Sequence, residues 1–386
     1  MRKTMMGRFA MPLLAACGAL AFAAGADAAP RGDAAKWDPR MAAENASVDT
    51  NGVKWIDGRY LPIEGRMFDD VDHYYDRLPS NVSTNVNGGV RSMKHHTTGM
   101  QFRFRTDSKT LYFKWIPYHP GLAMDHMPST GASDIDVYRR GKDGKWRFHR
   151  TGRIHDAAKG GFLRASWKPE WDCLVNLPLY NGVKSFELGI DRGATITSLP
   201  PRKNGVTRPV VFYGTSITHG GCASRPGMSF VNIVGRELDV PVVNLGFSGS
   251  GRMELEMSEH LGRIDASCYV IDCVWNMNGP LMRANVVPFL KNLRRLRPDV
   301  PIICAAPCDV FCGTEPADST PVRGREMREE FDKAVAAGVK GLHWLPTEDQ
   351  LGGDYEGTVD GVHLNDWGMV QVARGFGTAI RRVLRK

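Results

Sequence analysis

Past residue 24 the sequence has no apolar run long enough to cross a bilayer, and nowhere does it carry a long block of like charge. The first absence excludes a further helical membrane span. The second removes the electrostatic footprint of a nucleic-acid groove, because basic residues interleave with acids, as in Arg139-Arg140-Gly141-Lys142-Asp143. Formal charge is +8, and Arg2, Lys3 and Arg8, set against Asp27, hold part of it at the amino-terminal end. HExxH, the EF-hand loop and the P-loop are missing, so the short metal and phosphate signatures are gone. Composition is otherwise ordinary: 42% hydrophobic and 24% charged, with 42 Gly and 23 Pro, which excludes a disordered or collagen-like chain. At 386 residues, two domains with sound cores are expected.

The amino-terminal end reads as an export signal. Met1–Arg8 is cationic, residues 9–24 (FAMPLLAACGALAFAA) are apolar, and Ala26-Asp27-Ala28 fits a small-x-small cleavage site. Residues 1–28 are therefore expected to be a cleaved signal peptide, giving a periplasmic or extracellular product. Leu14-Ala15-Ala16-Cys17 is a rival, lipobox-like reading that would anchor the chain at Cys17. Against it, the apolar run continues past Cys17, where a lipoprotein normally turns polar.

Cysteine is scarce. Beyond Cys17 there are Cys173, Cys222, Cys268, Cys273, Cys304, Cys308 and Cys312. An odd count in an exported chain leaves at least one free thiol. Cys304, Cys308 and Cys312 have an even spacing, but Cys304 closes an apparent buried strand and no histidine completes a ligand set nearby. Buried thiols with one loop disulfide at most are expected rather than zinc.

Residues 29–50 are polar and alanine-rich without periodicity, and read as a linker or arm. From 51 to 203 the pattern has period two, in MQFRFRT (100–106), TLYFKWI (110–116), SDIDVY (133–138), KWRFHR (145–150) and VKSFELGI (183–190). Short alternating strands without a helical stretch between them predict an antiparallel β-sandwich, jelly-roll-like. After Pro200-Pro201 the style changes. In 204–386, apolar strands at 210–214, 242–247, 268–274, 301–306 and 342–346 alternate with helical stretches near 227–238, 281–297, 322–337 and 366–384. That alternation predicts a parallel sheet covered on both faces, a three-layer flavodoxin-like α/β domain. Ligands in such a domain sit at the carboxyl ends of the strands.

The first strand end is Gly214-Thr215-Ser216-Ile217. A serine on a strand-to-helix turn exposes its hydroxyl above the sheet, although serine is equally a helix N-cap. The second is Asn244-Leu245-Gly246-Phe247-Ser248-Gly249, whose glycines let a backbone N–H approach a developing oxyanion. The third ends in Trp275-Asn276-Met277-Asn278, where an asparagine amide can donate to the same oxygen or simply serve a turn. The last holds Asp360-Gly361-Val362-His363, a carboxylate positioned to orient an imidazole that deprotonates a serine.

These four blocks, in this order, resemble the SGNH/GDSL hydrolase superfamily, with Thr215 in place of the usual aspartate. The resemblance implies Ser216 as nucleophile, Asp360 and His363 as its partners, and Ser216, Gly249 and Asn276 as oxyanion donors. The glycine that usually precedes the asparagine is missing, and Asn278 is the substitute candidate. GTSITHGGCASRPGMSF (214–230), YDRLP (75–79) and Asp136-Val137-Tyr138 are similar to a two-domain branch of bacterial esterases with a GxDLY-type β domain. Relatives of that type imply acetyl ester hydrolysis on carbohydrate through an acyl-enzyme, with no cofactor or metal. Trp275 and Trp367 are candidate sugar platforms, or core residues. The loop 220–227, short and polar with Arg225, is expected to line the acyl side and favour a small acyl group. A lipid or lysophospholipase-type esterase, and a non-catalytic carbohydrate-binding protein on a degenerate hydrolase fold, stand as alternatives. The expected partner is an acetylated oligo- or polysaccharide, not nucleic acid, and oligomeric state is not legible.

Overall fold

The computed structural model describes residues 47–310, 320–351 and 355–385. The expected signal peptide, Cys17, most of the expected 29–50 arm and Cys312 lie outside the described residues. The strands are β1 Ser47–Val48, β2 Val53–Asp57, β3 Ile63–Glu64, β4 Gln101–Thr106, β5 Thr110–Pro117, β6 Asp136–Arg140, β7 Trp146–Thr151 and β8 Gly161–Ser166. There follow β9 Asp172–Asn176, β10 Val183–Asp191, β11 Ile196–Ser198, β12 Val210–Gly214, β13 Val242–Gly246, β14 Cys268–Asp272, β15 Ile302–Ala305 and β16 Leu342–Leu345.

The first eleven strands make two antiparallel sheets, ordered β1-β2-β10-β5-β8 and β11-β4-β9-β6-β7, with β3 joined to β4. Their inner faces enclose an aromatic core that includes Phe102, Phe113, Trp115 and Phe186. Phe102 and Phe186 stack at 4.6 Å across the two sheets. The described end of the expected arm is not free: Ser47 and Val48 pair with Trp55 and Lys54 as β1. A helix that the period-two pattern hid, α1 Gly88–Met93, is started by Asn87, whose side chain accepts from Gly89 N–H. Helix α2 is a single turn, Ser129–Ala132.

The last five strands form a wholly parallel sheet ordered β13-β12-β14-β15-β16. Burial on both faces is why they read as unbroken apolar runs; β12, β13, β14 and β15 are buried at every position. The helices are α3 Ser216–His219, α4 Phe230–Leu238, α5 Leu255–Gly262, α6 Gly279–Leu296, α7 Thr320–Ala336 and α8 Asp366–Leu384. Helices α5, α6 and α7 cover one face, and α4 with α8 the other. Ser229, Asn278 and Asn365 cap α4, α6 and α8. Strand register aligns the ends that face the helix turns. Gly214 pairs with both Gly246 and Asp272, so β12, β13 and β14 end in one row and the segments after them converge.

Buried contacts join the sheets of the two halves. The Arg77 guanidinium, fully enclosed, donates to Asn244 O at 3.0 Å and Gly246 O at 2.8 Å on β13. It also holds the carbonyls of His96 and Met93. This cation thus ties the β-rich half to the strand whose end faces the serine.

Candidate active site

Ser216 is the first residue of α3 and sits on the turn leaving β12. Thr215 caps the helix by accepting from Ile217 N–H at 3.2 Å, which leaves the serine hydroxyl free of the capping role. His363 Nε2 lies 3.1 Å from Ser216 Oγ, and His363 Nδ1 lies 2.7 Å from Asp360 Oδ2. The three residues thus form one hydrogen-bonded line. Local sequence builds its acidic end. Asp360 Oδ1 accepts the backbone N–H of Val362 at 3.0 Å and of His363 at 2.7 Å, an Asx turn that fixes the ring relative to the carboxylate. Gly361 takes φ +84° within it, a conformation glycine adopts without strain. Partial burial works against the Asp360 charge, yet the hydrogen bonds from the His363 side chain and backbone outweigh it and hold the carboxyl below its usual range. With an ionised carboxylate on Nδ1, Nδ1 carries the proton and Nε2 is left to accept from the serine.

The segments after β13 and β14 leave strand ends level with that of β12. Gly249 lies in the turn after β13 at φ +63°, with open space where a Cβ would stand. Asn276 is brought to that turn: its amide nitrogen donates to Phe247 O at 3.2 Å and Gly251 O at 3.3 Å, straddling Gly249. Both bonds are long, and they hold the turn in place. Asn278 does something else. Its side chain accepts from Leu281 N–H at 3.0 Å as the cap of α6, and it is exposed.

Two candidate residues have partners that the sequence did not show. Arg225 turns its guanidinium toward the β-sandwich. Its guanidinium pairs with Asp136 Oδ2 at 3.1 Å, also contacts Tyr138 OH, and lies 4.0 Å from the Phe148 ring centre. The cause is electrostatic: Asp136 is fully buried in the β-sandwich and draws the one cation that reaches it from loop 220–227. Trp275 is the second. It is half-buried against the α4–α8 core, with the Arg323 guanidinium 5.5 Å from its ring centre. Trp367, by contrast, is 49% exposed in the first turn of α8, four residues after His363.

Sequence reasoning missed the residues that brace the site from the β-sandwich. Tyr180 OH donates to Ser216 O at 3.2 Å and its ring stacks 4.1 Å from His219. His219 lies 3.2 Å from His96, and burial, with Arg77 and His96 nearby, holds it neutral. His126, exposed in the turn between Met124 and Met127, meets the His363 ring edge-on at 5.2 Å. A histidine in a loop carries no sequence signal of that neighbour. Beneath the serine, Asp272 is buried and accepts from Thr218 Oγ1 at 2.7 Å; burial pushes its carboxyl up to about 7.

Among the described residues, two groups place metal-ligand atoms within 4.8 Å of one another: His126, Cys222 and His363, and His73, Asp76 and His95. In the first, both nitrogens of His363 already make hydrogen bonds and burial pushes the Cys222 thiol up to about 12, which suits the group poorly to holding an ion. Cys173, Cys222, Cys268, Cys273 and Cys304 are buried free thiols, and Cys308 is buried as well.

Comparison with known proteins agrees with this geometry. Residues 207–382 match the GDSL-like lipase/acylhydrolase family, and residues 53–196 match the N-terminal region of SGNH-hydrolase-type esterases. A structure from Bacteroides ovatus described as a GDSL-like lipase is 27% identical, covers 86% of this chain and 98% of its own, and superposes with a TM-score of 0.79. A salicylyl-acyltransferase from a tetracycline biosynthetic pathway shares the fold at 18% identity, over 85% of this chain and 96% of its own, with a TM-score of 0.69. A family two carbohydrate esterase from Cellvibrio japonicus does so at 11% identity, over 75% and 90%, with a TM-score of 0.53. No curated protein sequence matches the chain.

Proposed function

Since residues 207–382 belong to the GDSL-like lipase/acylhydrolase family and residues 53–196 to its SGNH-esterase N-terminal domain, we propose that this chain removes acetyl or other short acyl groups from carbohydrate. The observation that carries the reading is the line Ser216–His363–Asp360, at 3.1 and 2.7 Å, set at the row of strand ends. In the proposed reaction His363 Nε2 takes the Ser216 proton as Oγ attacks the ester carbonyl. Asp360 stabilises the resulting imidazolium and stays ionised. The N–H groups of Ser216 and Gly249 and the Asn276 amide receive the tetrahedral oxyanion, Asn276 by yielding one of its long bonds to the turn. His363 then protonates the leaving alcohol, and in the second half activates water to release the acid from Ser216.

Short acyl groups suit the setting. Ser216 is 7% exposed, and Ile217, Cys222, Ala223 and Leu364 around it belong to the closed core, so chain length on that side has little room. Trp367, exposed and four residues after His363, is the candidate indole face for a sugar ring on the alcohol side. The described part of the chain has no helix long and apolar enough to cross a membrane. Acetate release from a panel of acetylated polysaccharides, with octanoyl esters alongside, tests the reading. Wild type is expected to release acetate and Ser216→Ala is not. Octanoyl esters cleaved as efficiently as acetyl ones would promote the lipid-esterase alternative, and full activity in Ser216→Ala would end the proposal.

A further inference from the structure

Each antiparallel sheet ends in an edge strand, β7 in one and β8 in the other. Side chains join the two edges: His149 Nε2 lies 3.0 Å from Ser166 O, and Arg150 donates to Arg164 O at 3.1 Å. A groove runs here, lined by Phe148, His149, Arg150, Arg153, Phe162 and Arg164. Strand alternation explains what faces it. In β8, Gly161, Leu163 and Ala165 are buried, while Phe162, Arg164 and Ser166 point out. Phe162 is 55% exposed and Phe148 43%, so part of each ring stands in water on adjoining edges, with the Arg225 guanidinium covering one face of Phe148. The nearby acids are occupied elsewhere, Asp143 with Arg147 and Asp156 with Lys159. Among the described residues Arg150, Arg153 and Arg164 make no ion pair with a carboxylate.

We propose that this groove binds an anionic polysaccharide strand. Its sugar faces pack on Phe148 and Phe162, and its carboxylate or sulfate groups pair with Arg150, Arg153 and Arg164. Guanidiniums without a carboxylate partner suit planar or tetrahedral oxyanions through paired N–H bonds, and exposed aromatic faces suit the C–H surfaces of sugar rings. A neutral glycan makes use of the aromatics alone. The groove also connects to the site. Phe148 touches Arg225, whose neighbour Ser224 is bound to Asp366 at 2.9 and 2.6 Å, three residues beyond His363. This inference rests on the esterase reading for its consequence, that the substrate is an acetylated acidic glycan, but not for the binding itself.

Affinity electrophoresis of the full chain carrying Ser216→Ala, which reads binding apart from turnover, tests it. Polygalacturonate or dextran sulfate in the gel is expected to retard the protein, and neutral xylan is not. The first glycan separates carboxylate from sulfate recognition. Arg150→Gln with Arg164→Gln, and separately Phe162→Ala, are expected to weaken binding about tenfold with unchanged melting temperature. Added salt is expected to weaken it further. No retardation by either anionic glycan, equal retardation by xylan, binding that survives both variants, or tighter binding of oligothymidylate would overturn the proposal. Binding of the anionic glycans, together with no acetate release by wild type from the acetylated polysaccharide panel, would leave the groove standing and remove the carbohydrate-esterase reading.

Discussion

At the scale of single residues, the site separates groups that react from groups that hold them. Asn276 does the second in the resting structure, through Phe247 O and Gly251 O, and is proposed to do the first during turnover. Asn276→Ala is expected to lower kcat by roughly a hundred- to a thousandfold, measured on a 4-nitrophenyl acetyl ester. Asn278→Ala, which removes only the α6 cap, is expected to cost about 1 kcal/mol of stability and little rate. The reverse ranking would exchange their roles. Asp272 yields a pH prediction. Its carboxyl ionises near 4 in the unfolded chain, and burial raises it to about 7 in the fold. The folded state therefore keeps a proton that the unfolded state has released. The contribution to stability is complete below about pH 4 and is lost as pH rises through about 7. Asp272→Asn keeps an acceptor for Thr218 Oγ1 and removes the titration. Its melting temperature is expected to exceed wild type by about 2–4 °C at pH 8 and to show no gain at pH 5, by scanning calorimetry. Equal shifts at both pH values would contradict this account.

At the scale of elements, strand β6 and loop 225–227 form the joint that sequence patterning could not show. Asp136 accepts from Asn176 Nδ2 at 2.7 Å and Gly227 N–H at 2.8 Å, besides pairing with Arg225. Asp136→Ala leaves a largely enclosed guanidinium and two donors unmatched. It is expected to cost about 3–5 kcal/mol in urea unfolding, whereas Phe148→Ala on the exposed side of the same contact costs far less. Equal losses would place the weight of the joint in the aromatic packing. The parallel strands were legible because both faces are buried and the runs are continuous. Strand β9 was not: Asp172–Asn176 is five buried residues with neither alternation nor length to mark it. Helix α1 was hidden because six residues are too few for a helical period to emerge.

At the scale of the whole molecule, the β-sandwich is part of the active-site wall rather than an appendage. Arg77 grips β13, Tyr180 holds the Ser216 carbonyl, and His126 reaches the His363 ring. The proposed reacting residues were legible because Ser216, Gly249 and Asn276 lie within a few residues of a strand end, and because Asp360 and His363 obey local turn chemistry just ahead of α8. Those that brace them were not, since a buried arginine or a loop histidine acquires its partner only when distant segments pack. Arg225 shows the limit from the other side: read along the chain it belongs to the cleft, while in space the buried Asp136 claims it. The central claim is that Ser216 is the activated nucleophile of a serine esterase. Peptide mass spectrometry after reaction with a fluorophosphonate tests it most directly. One adduct is expected, on Ser216, absent in Ser216→Ala and strongly slowed in His363→Ala; an adduct mapping to Ser248 or Ser250, or labelling that persists in Ser216→Ala, would contradict the account.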